Sequence, residues 1–258
     1  MLLAIDVGNT QTVIGTYVGS ALSNTWRIAT NKAHTADEIR LKIASLLEQA
    51  NIEAAEIDGV ALASVVPALS EAWKAAIDRA FQVEPVLCSA RTAGDLFKTS
   101  YPNPAEIGSD RIADSVAAVA LYGAPVVVVD FGTATNIEVV DAQGNFMGGI
   151  IAPGFNASAD ALVSRATKLP AVDLVEPVHA IGRSTVEAMQ SGIVYGEADR
   201  IDGLVRRVFD QLGYTAPVVA TGGLATTIAP LAKTVTEINP DLTLEGLRLI
   251  FEAQTSVE

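Results

Sequence analysis

Leu2-Leu3-Ala4-Ile5-Asp6-Val7-Gly8-Asn9-Thr10 and Val126-Val127-Val128-Val129-Asp130-Phe131-Gly132-Thr133-Ala134 repeat one order of residue types: an apolar β-prone run, an acid, one apolar residue, a glycine and a polar turn. Self-similarity at this separation reads as an internal duplication. In the first half, strand-like residues continue from Thr12 to Val18, turn at Gly19-Ser20 and resume from Ala21 to Ala29. In the second, Asn136 to Val140 leads through Asp141–Asn145 into Phe146 to Ala152. Each half therefore opens with a three-strand meander.

Helical signals come next. Thr35-Ala36-Asp37-Glu38 has the form of a capping box, and Ile39, Ile43, Leu46 and Leu47 follow at helical spacing. A further strand, Gly59 to Val66, stops at Pro67 and yields to a helix reaching about Phe81. Its counterpart is Pro217 to Gly223, again with a helical stretch behind it. The order β-β-β-α-β-α thus occurs twice, and the second copy carries a long helical insertion from about Thr185 to Leu212.

Strands alternating with helices give an α/β class, with mixed sheets flanked by helices. Two copies imply an N-terminal domain over 1–115 and a C-terminal domain over 116–258. This pattern resembles the duplicated ribonuclease-H-like, actin-like ATPase fold shared by acetate and sugar kinases, heat-shock chaperones and actin. The resemblance implies a cleft between the two domains.

The composition fits. Half of the 258 residues are hydrophobic and 18 % are charged, which suits a packed chain and not a disordered one. A formal net charge of −13 disfavours nucleic acid or an anionic membrane as partner, because both require a positive footprint. Phosphate recognition must then be local. The lone Cys88 has no internal disulfide partner, and His34 and His179 lack zinc-like spacing. Neither a signal peptide nor a membrane span is expected, since the apolar run Ser115–Val129 is broken by Gly123 and Pro125. A reducing cytoplasm is the expected compartment. Trp26 and Trp73 read as packing residues and Cys88 as a small buried one.

An acidic protein can receive a polyanion through backbone N–H groups at tight glycine turns. The candidate ATP-binding stretch runs from Asp6 through Val7, Gly8, Asn9, Thr10, Gln11 and Thr12 to Val13. Gly8 lets the turn fold over phosphates, while Asn9 and Thr10 offer hydrogen bonds to their oxygens. Asp6, at the strand end, is placed to hold hydrated Mg²⁺. Asp130 to Thr135 offers the same tools a second time. Either copy alone also fits an ordinary strand ending in an Asp-Gly type turn. No P-loop and no dinucleotide fingerprint is present.

Gly108-Ser109-Asp110-Arg111 is similar to the Gly-x-Asp-Arg motif of type III pantothenate kinases, with Tyr101-Pro102-Asn103-Pro104 just upstream as in that family. Further likenesses follow in family order: Gly148–Gly154, Thr185–Gly192, Thr221-Gly222-Gly223 and Leu242–Leu247. The resemblance covers nearly the whole chain. It implies that Asp110 is the base taking the proton from the primary hydroxyl of pantothenate, and that Arg111 binds the pantothenate carboxylate or steadies developing charge. It also implies pantothenate contacts from Tyr101, Gly108, Ser109 and Thr185, and an ATP contact from Thr133. A monovalent cation, K⁺ or NH₄⁺, is implied at Asp130, and a homodimer as the assembly. Without the family, Asp110-Arg111 reads as a salt-bridged helix start.

The chain departs from the family wording at Asn136, where a threonine is usual, and at Glu138, where an aspartate is usual. Both keep oxygen atoms in place. The implied reaction is phosphorylation of pantothenate by ATP at the entry to coenzyme A synthesis. A non-catalytic regulator and another small-molecule kinase on the same fold are the alternatives.

Overall fold

The structure is a computed structural model, and the described residues are 1–166 and 169–255. The chain clusters into two units: Met1–Ala120 together with the stretch from Leu242, and Leu121–Asp241. The sequence places the boundary after residue 115 and assigns everything later to the second domain. The chain instead returns to the first unit with its last helix, whose packing is described below.

The first unit contains β1 (Leu2–Val7), β2 (Gln11–Val18), β3 (Ala21–Ala29), α1 (Ala36–Gln49), β4 (Gly59–Ser64) and α2 (Pro67–Phe81). Short pieces follow, β5 (Val86–Leu87), α3 (Ala90–Ala93) and β6 (Lys98–Thr99), and then α4 (Ser109–Tyr122). Its sheet has the order β3-β2-β1-β4-β5; β1, β2 and β3 are antiparallel, whereas β4 and β5 join parallel.

Strand β1 is buried on both faces, as its unbroken apolar run requires. Leu3, Ile5 and Val7 pack with Ile39, Ile43 and Leu47 of α1 and Leu69, Trp73 and Ile77 of α2. Full burial of such a side chain contributes about 1.5–3 kcal/mol, so this face is the unit's main source of stability. The capping box opening α1 forms as read: Thr35 accepts from the Glu38 N–H, and Glu38 accepts from the Thr35 N–H at 2.8 Å.

The second unit repeats the plan with β7 (Val126–Phe131), β8 (Ala134–Val140), β9 (Asn145–Pro153), α5 (Phe155–Arg165), α6 (Thr185–Leu212), β10 (Val218–Thr221), α7 (Ala225–Ile228) and β11 (Glu237–Ile238). Its strands run β11-β10-β7-β8-β9, with the meander antiparallel and β10 and β11 parallel. Strands β1 and β7 bury their residues in the same sequence of environments, and Asp6 and Asp130 are each the half-buried penultimate residue. The duplication read from the sequence is thus a duplication of topology and of burial.

Val127, Val129 and Phe131 pack against Val194, Ala198, Ile201 and Val205 of α6 and against Ala225 and Ile228 of α7. Helix α6 has the span read from sequence because its ends are marked locally. Ser184 accepts from the Glu187 N–H at the start, and Gly213 adopts a left-handed conformation, φ 78°, at the finish. The chain closes with α8 (Leu242–Thr255), which lies in the first unit and packs on β1, β2 and β4. Among the described residues no helix is long and apolar enough to cross a membrane.

Candidate active site

In the first unit, the turn after β1 is drawn tight by the Gly8 N–H, which donates to the Gln11 carbonyl at 3.0 Å. A Cβ on Gly8 would stand 2.8 Å from that same oxygen, so glycine is required by space. Asn9, Thr10 and Gln11 are exposed and present their polar groups outward. Val7 and Thr12 are buried, and the Thr12 hydroxyl is engaged with the Thr30 hydroxyl at 2.9 Å. These two positions can therefore offer a ligand only their backbone. Asp6 pairs in register with Val13 on β2 and with Ala63 on β4.

Asp110 and Arg111 lie in the first turn of α4. Asp110 Oδ1 accepts from the Arg111 N–H at 2.8 Å, and the same oxygen fills the space a Cβ on Gly108 would need. That gives the glycine of Gly-x-Asp-Arg a physical reason: the carboxylate folds back over it. Burial raises the Asp110 carboxyl above the usual aspartate range, opposed by the Arg111 N–H, the Arg111 charge and its own backbone. A carboxylate shifted this way is a stronger proton acceptor than an exposed one.

The helix start is pinned on two sides by residues that the motifs did not indicate. Ser109 Oγ accepts from the Ser64 N–H at 3.0 Å, and the Ser109 carbonyl accepts from Cys88 Sγ at 3.2 Å. Burial pushes the Cys88 thiol up, and the charges of Asp6, Asp110 and Asp114 push it further, so Cys88 is the buried, inert residue expected. Those three carboxylates are therefore within electrostatic reach of one thiol. Beside this turn, a cavity of about 620 Å³ is lined by Ser64, Val65, Cys88, Arg91, Gly108 and Ser109 among others. Tyr101 is exposed a few residues upstream, its N–H donating to the Thr99 hydroxyl at 2.9 Å.

In the second unit, Thr221, Asp130 and Asn136 are cross-strand neighbours on β10, β7 and β8 and so share one face of the sheet. Thr221 Oγ1 and Asn136 Oδ1 are buried without a hydrogen-bond partner among the described residues. Glu138, two residues along β8, is fully buried. Gly222 has φ +91° and is pressed against the Asp130 carboxylate and the Phe131 backbone. Thr133, in the β7–β8 turn, is exposed, and the Gly132 N–H closes that turn on the Ala134 carbonyl at 3.0 Å.

Behind this turn is a buried network that sequence reading missed. Glu197 of α6 pairs with Arg200 and accepts from the Thr135 hydroxyl at 2.8 Å, while Arg200 donates to the Pro153 carbonyl at 2.7 Å. Its signal was an acid on the buried stripe of α6, three residues after Val194. Thr185 is exposed at the start of α6. His34 sits in the loop before α1 and His179 is exposed; Trp73 is buried in the core and Trp26 packs partly buried against it. Among the described residues, no three His, Cys, Asp or Glu side chains converge to hold a metal ion. An ion here would rely on one or two carboxylates, neutral oxygens and the phosphates themselves.

Known proteins resemble this chain in sequence and in fold. The family model for type III pantothenate kinase matches residues 2–207. A type III pantothenate kinase of Roseiflexus sp. (strain RS-1) is 46% identical over 256 residues, covering 99% of this chain and 100% of that protein. Among solved structures, a candidate Baf family transcriptional activator from Campylobacter jejuni superposes with a TM-score of 0.63 at 19% identity, covering 98% of this chain and 99% of that one. The ROK hexokinase of Thermus thermophilus superposes with a TM-score of 0.51 at 12% identity, covering 100% and 99%. At such identities the structural likenesses establish the fold, which is that of the actin-like ATPases and sugar kinases. The match of sequence along nearly the full length goes further: this chain belongs to the type III pantothenate kinase family.

Proposed function

We propose that this protein transfers the γ-phosphoryl group of ATP to the primary hydroxyl of pantothenate, giving 4′-phosphopantothenate and ADP at the first step of coenzyme A synthesis. The observation that carries the reading is Asp110: a half-buried carboxylate, raised by desolvation, held at a helix start by Gly108 and the Arg111 N–H. Phosphoryl transfer asks mainly for positioning and charge neutralisation, with an acid to orient the alcohol and accept its proton. Asp110 is the base. Arg111 receives the pantothenate carboxylate or the charge that develops, and Tyr101, Gly108, Ser109 and Thr185 contact the acceptor.

The ATP phosphates are assigned to Asp6–Val13 and Thr133, an assignment supported by the exposed polar groups of Asn9, Thr10, Gln11 and Thr133. Mg²⁺ bound with ATP neutralises phosphate charge, and Asp6 is the carboxylate offered to it through water. A monovalent cation, K⁺ or NH₄⁺, fits beside Asp130, because Thr221 Oγ1 and Asn136 Oδ1 share its sheet face and have no hydrogen-bond partner among the described residues. An orphaned buried oxygen costs about 1–3 kcal/mol, a cost that coordination to a cation would offset.

A homodimer is favoured by apolar side chains on the second unit. Val178 is 89% exposed and Ile181 85%, with Ile151, Leu162 and Val186 also exposed. A second copy covering them would remove that surface from water. A cytoplasmic location suits the single reduced Cys88. ADP release measured with and without pantothenate tests the function. Pantothenate-dependent release is expected; release that ignores pantothenate but follows a sugar would assign another kinase, and none at all would favour a non-catalytic regulator.

A further inference from the structure

Asp114 lies one helical turn beyond Asp110, on the same side of α4. It is 1% exposed, a position where helix propensity gives aspartate no advantage and burial of its charge is costly. The Thr243 hydroxyl of α8 donates to Asp114 Oδ1 at 2.6 Å, the short length of a charge-assisted bond. Three residues on, Gly246 lies so close to the Ala113 carbonyl that a Cβ would fall on the oxygen. Helix α8 thus grips α4 at two successive residues, once by a hydrogen bond and once by bare backbone.

The other end of the same turn is already fixed. Ser109 accepts from Ser64 and Cys88, one residue before Asp110, and Asp114 accepts from Thr243, four residues after it. The carboxylate assigned as base is therefore bracketed along its helix by polar contacts to separate elements: the end of β4, the residue following β5, and α8. Phosphoryl transfer depends on placement, and a displacement near 1 Å can cost on the order of 10²-fold in rate.

We propose that Asp114 and Thr243 are positioning residues for Asp110, setting the height and rotation of α4 so that the Asp110 carboxylate meets the acceptor hydroxyl. This rests on the reading of Asp110 as the base. ADP release at saturating pantothenate tests it in wild type, Thr243→Val, Thr243→Ser, Asp110→Asn and the double variant Asp110→Asn/Thr243→Val. Thr243→Val is expected to lower kcat about tenfold or more while KM for ATP stays within about twofold, and Thr243→Ser to retain nearly the wild-type kcat. In the Asp110→Asn background, Thr243→Val is expected to cost nothing further, since a positioning residue has nothing left to place.

A wild-type kcat in Thr243→Val overturns the proposal, as does an equal loss in the Asp110→Asn background or a Ser variant as slow as the Val one. Undiminished turnover in Asp110→Asn alone sinks the base assignment, a result distinct from all three. If Thr243→Val does not fold, Thr243→Ala against Thr243→Ser isolates the same hydroxyl.

Discussion

Gly222 is pressed upon the carboxylate of Asp130, whose Oδ1 fills the place where a side chain at position 222 would begin. Its φ of +91° adds a second reason for glycine, because L side chains are strained there. Gly222→Ala is expected to destabilise the protein by roughly 1–3 kcal/mol and to push Asp130 aside. Urea unfolding measures the first effect, and the K⁺ dependence of ADP release the second. A variant unchanged in both would separate Gly222 from any role at Asp130.

Asp110→Asn is expected to lower kcat by about 10²–10⁴-fold, the range for loss of a general base. Its stability should move the other way. The folded carboxyl titrates above the unfolded one, so its contribution is present below the unfolded pKa and is lost as pH rises through the folded pKa. At neutral pH the partly desolvated charge opposes folding, and the neutral amide is expected to unfold at equal or higher urea concentration. A slower and also less stable variant would mean that the asparagine disrupts the turn.

The same shift sets a pH profile. The acid limb of kcat/KM should fall at a pH above the ordinary aspartate range, because Asp110 must lose its proton to act and burial holds that proton on. An acid limb at the ordinary aspartate position would mean that another group controls the rate.

Asp202 of α6 anchors the loop before β11, accepting from the Thr234 N–H and hydroxyl, both at 2.8 Å, and from the Lys233 N–H at 3.1 Å. Burial alone would raise its carboxyl, but these donors and Arg206 outweigh that and hold it below the usual range. Its contribution is therefore present above the unfolded pKa and is lost as pH falls through the folded one. Asp202→Ala is expected to cost roughly 2–3 kcal/mol at neutral pH. In urea melts the gap between variant and wild type should close on acidification.

Thr221→Val removes a buried hydroxyl that has no partner among the described residues, so stability is expected to be unchanged or slightly higher. If a monovalent cation binds beside Asp130, the K⁺ concentration for half-maximal ADP release should rise several-fold in this variant. An unchanged requirement would remove Thr221 from the cation site.

Much of the fold was legible because its signals are local. Strands β1 and β7 announce themselves by unbroken apolar runs ending in Asp-x-Gly, and α1 by the Thr35–Glu38 capping box ahead of Ile39 and Ile43. The two-residue strands β6 and β11 are too short to carry a period. The return of α8 to the first unit was illegible for a different reason. Gly246 inside a helix looks like a weakness until Ala113 is placed against it, and that partner lies far away in sequence. Asp110 belongs to the same class: an acid in the first turn of a helix looks like a dipole partner, and only tertiary packing takes part of it out of water.

The return of α8 has a consequence for how the protein is made. Synthesis runs from the N-terminus, so the ribosome delivers α4 and its Asp110 before the whole of Leu121–Asp241, and Leu242, Leu244, Leu247 and Ile250 only after it. A nascent chain that has emerged only as far as Asp241 still lacks the element that grips Ala113 and Asp114. The unit carrying the proposed base is thus completed only after Leu121–Asp241 has been made, and a product cut short at Asp241 is left with its acid unsecured.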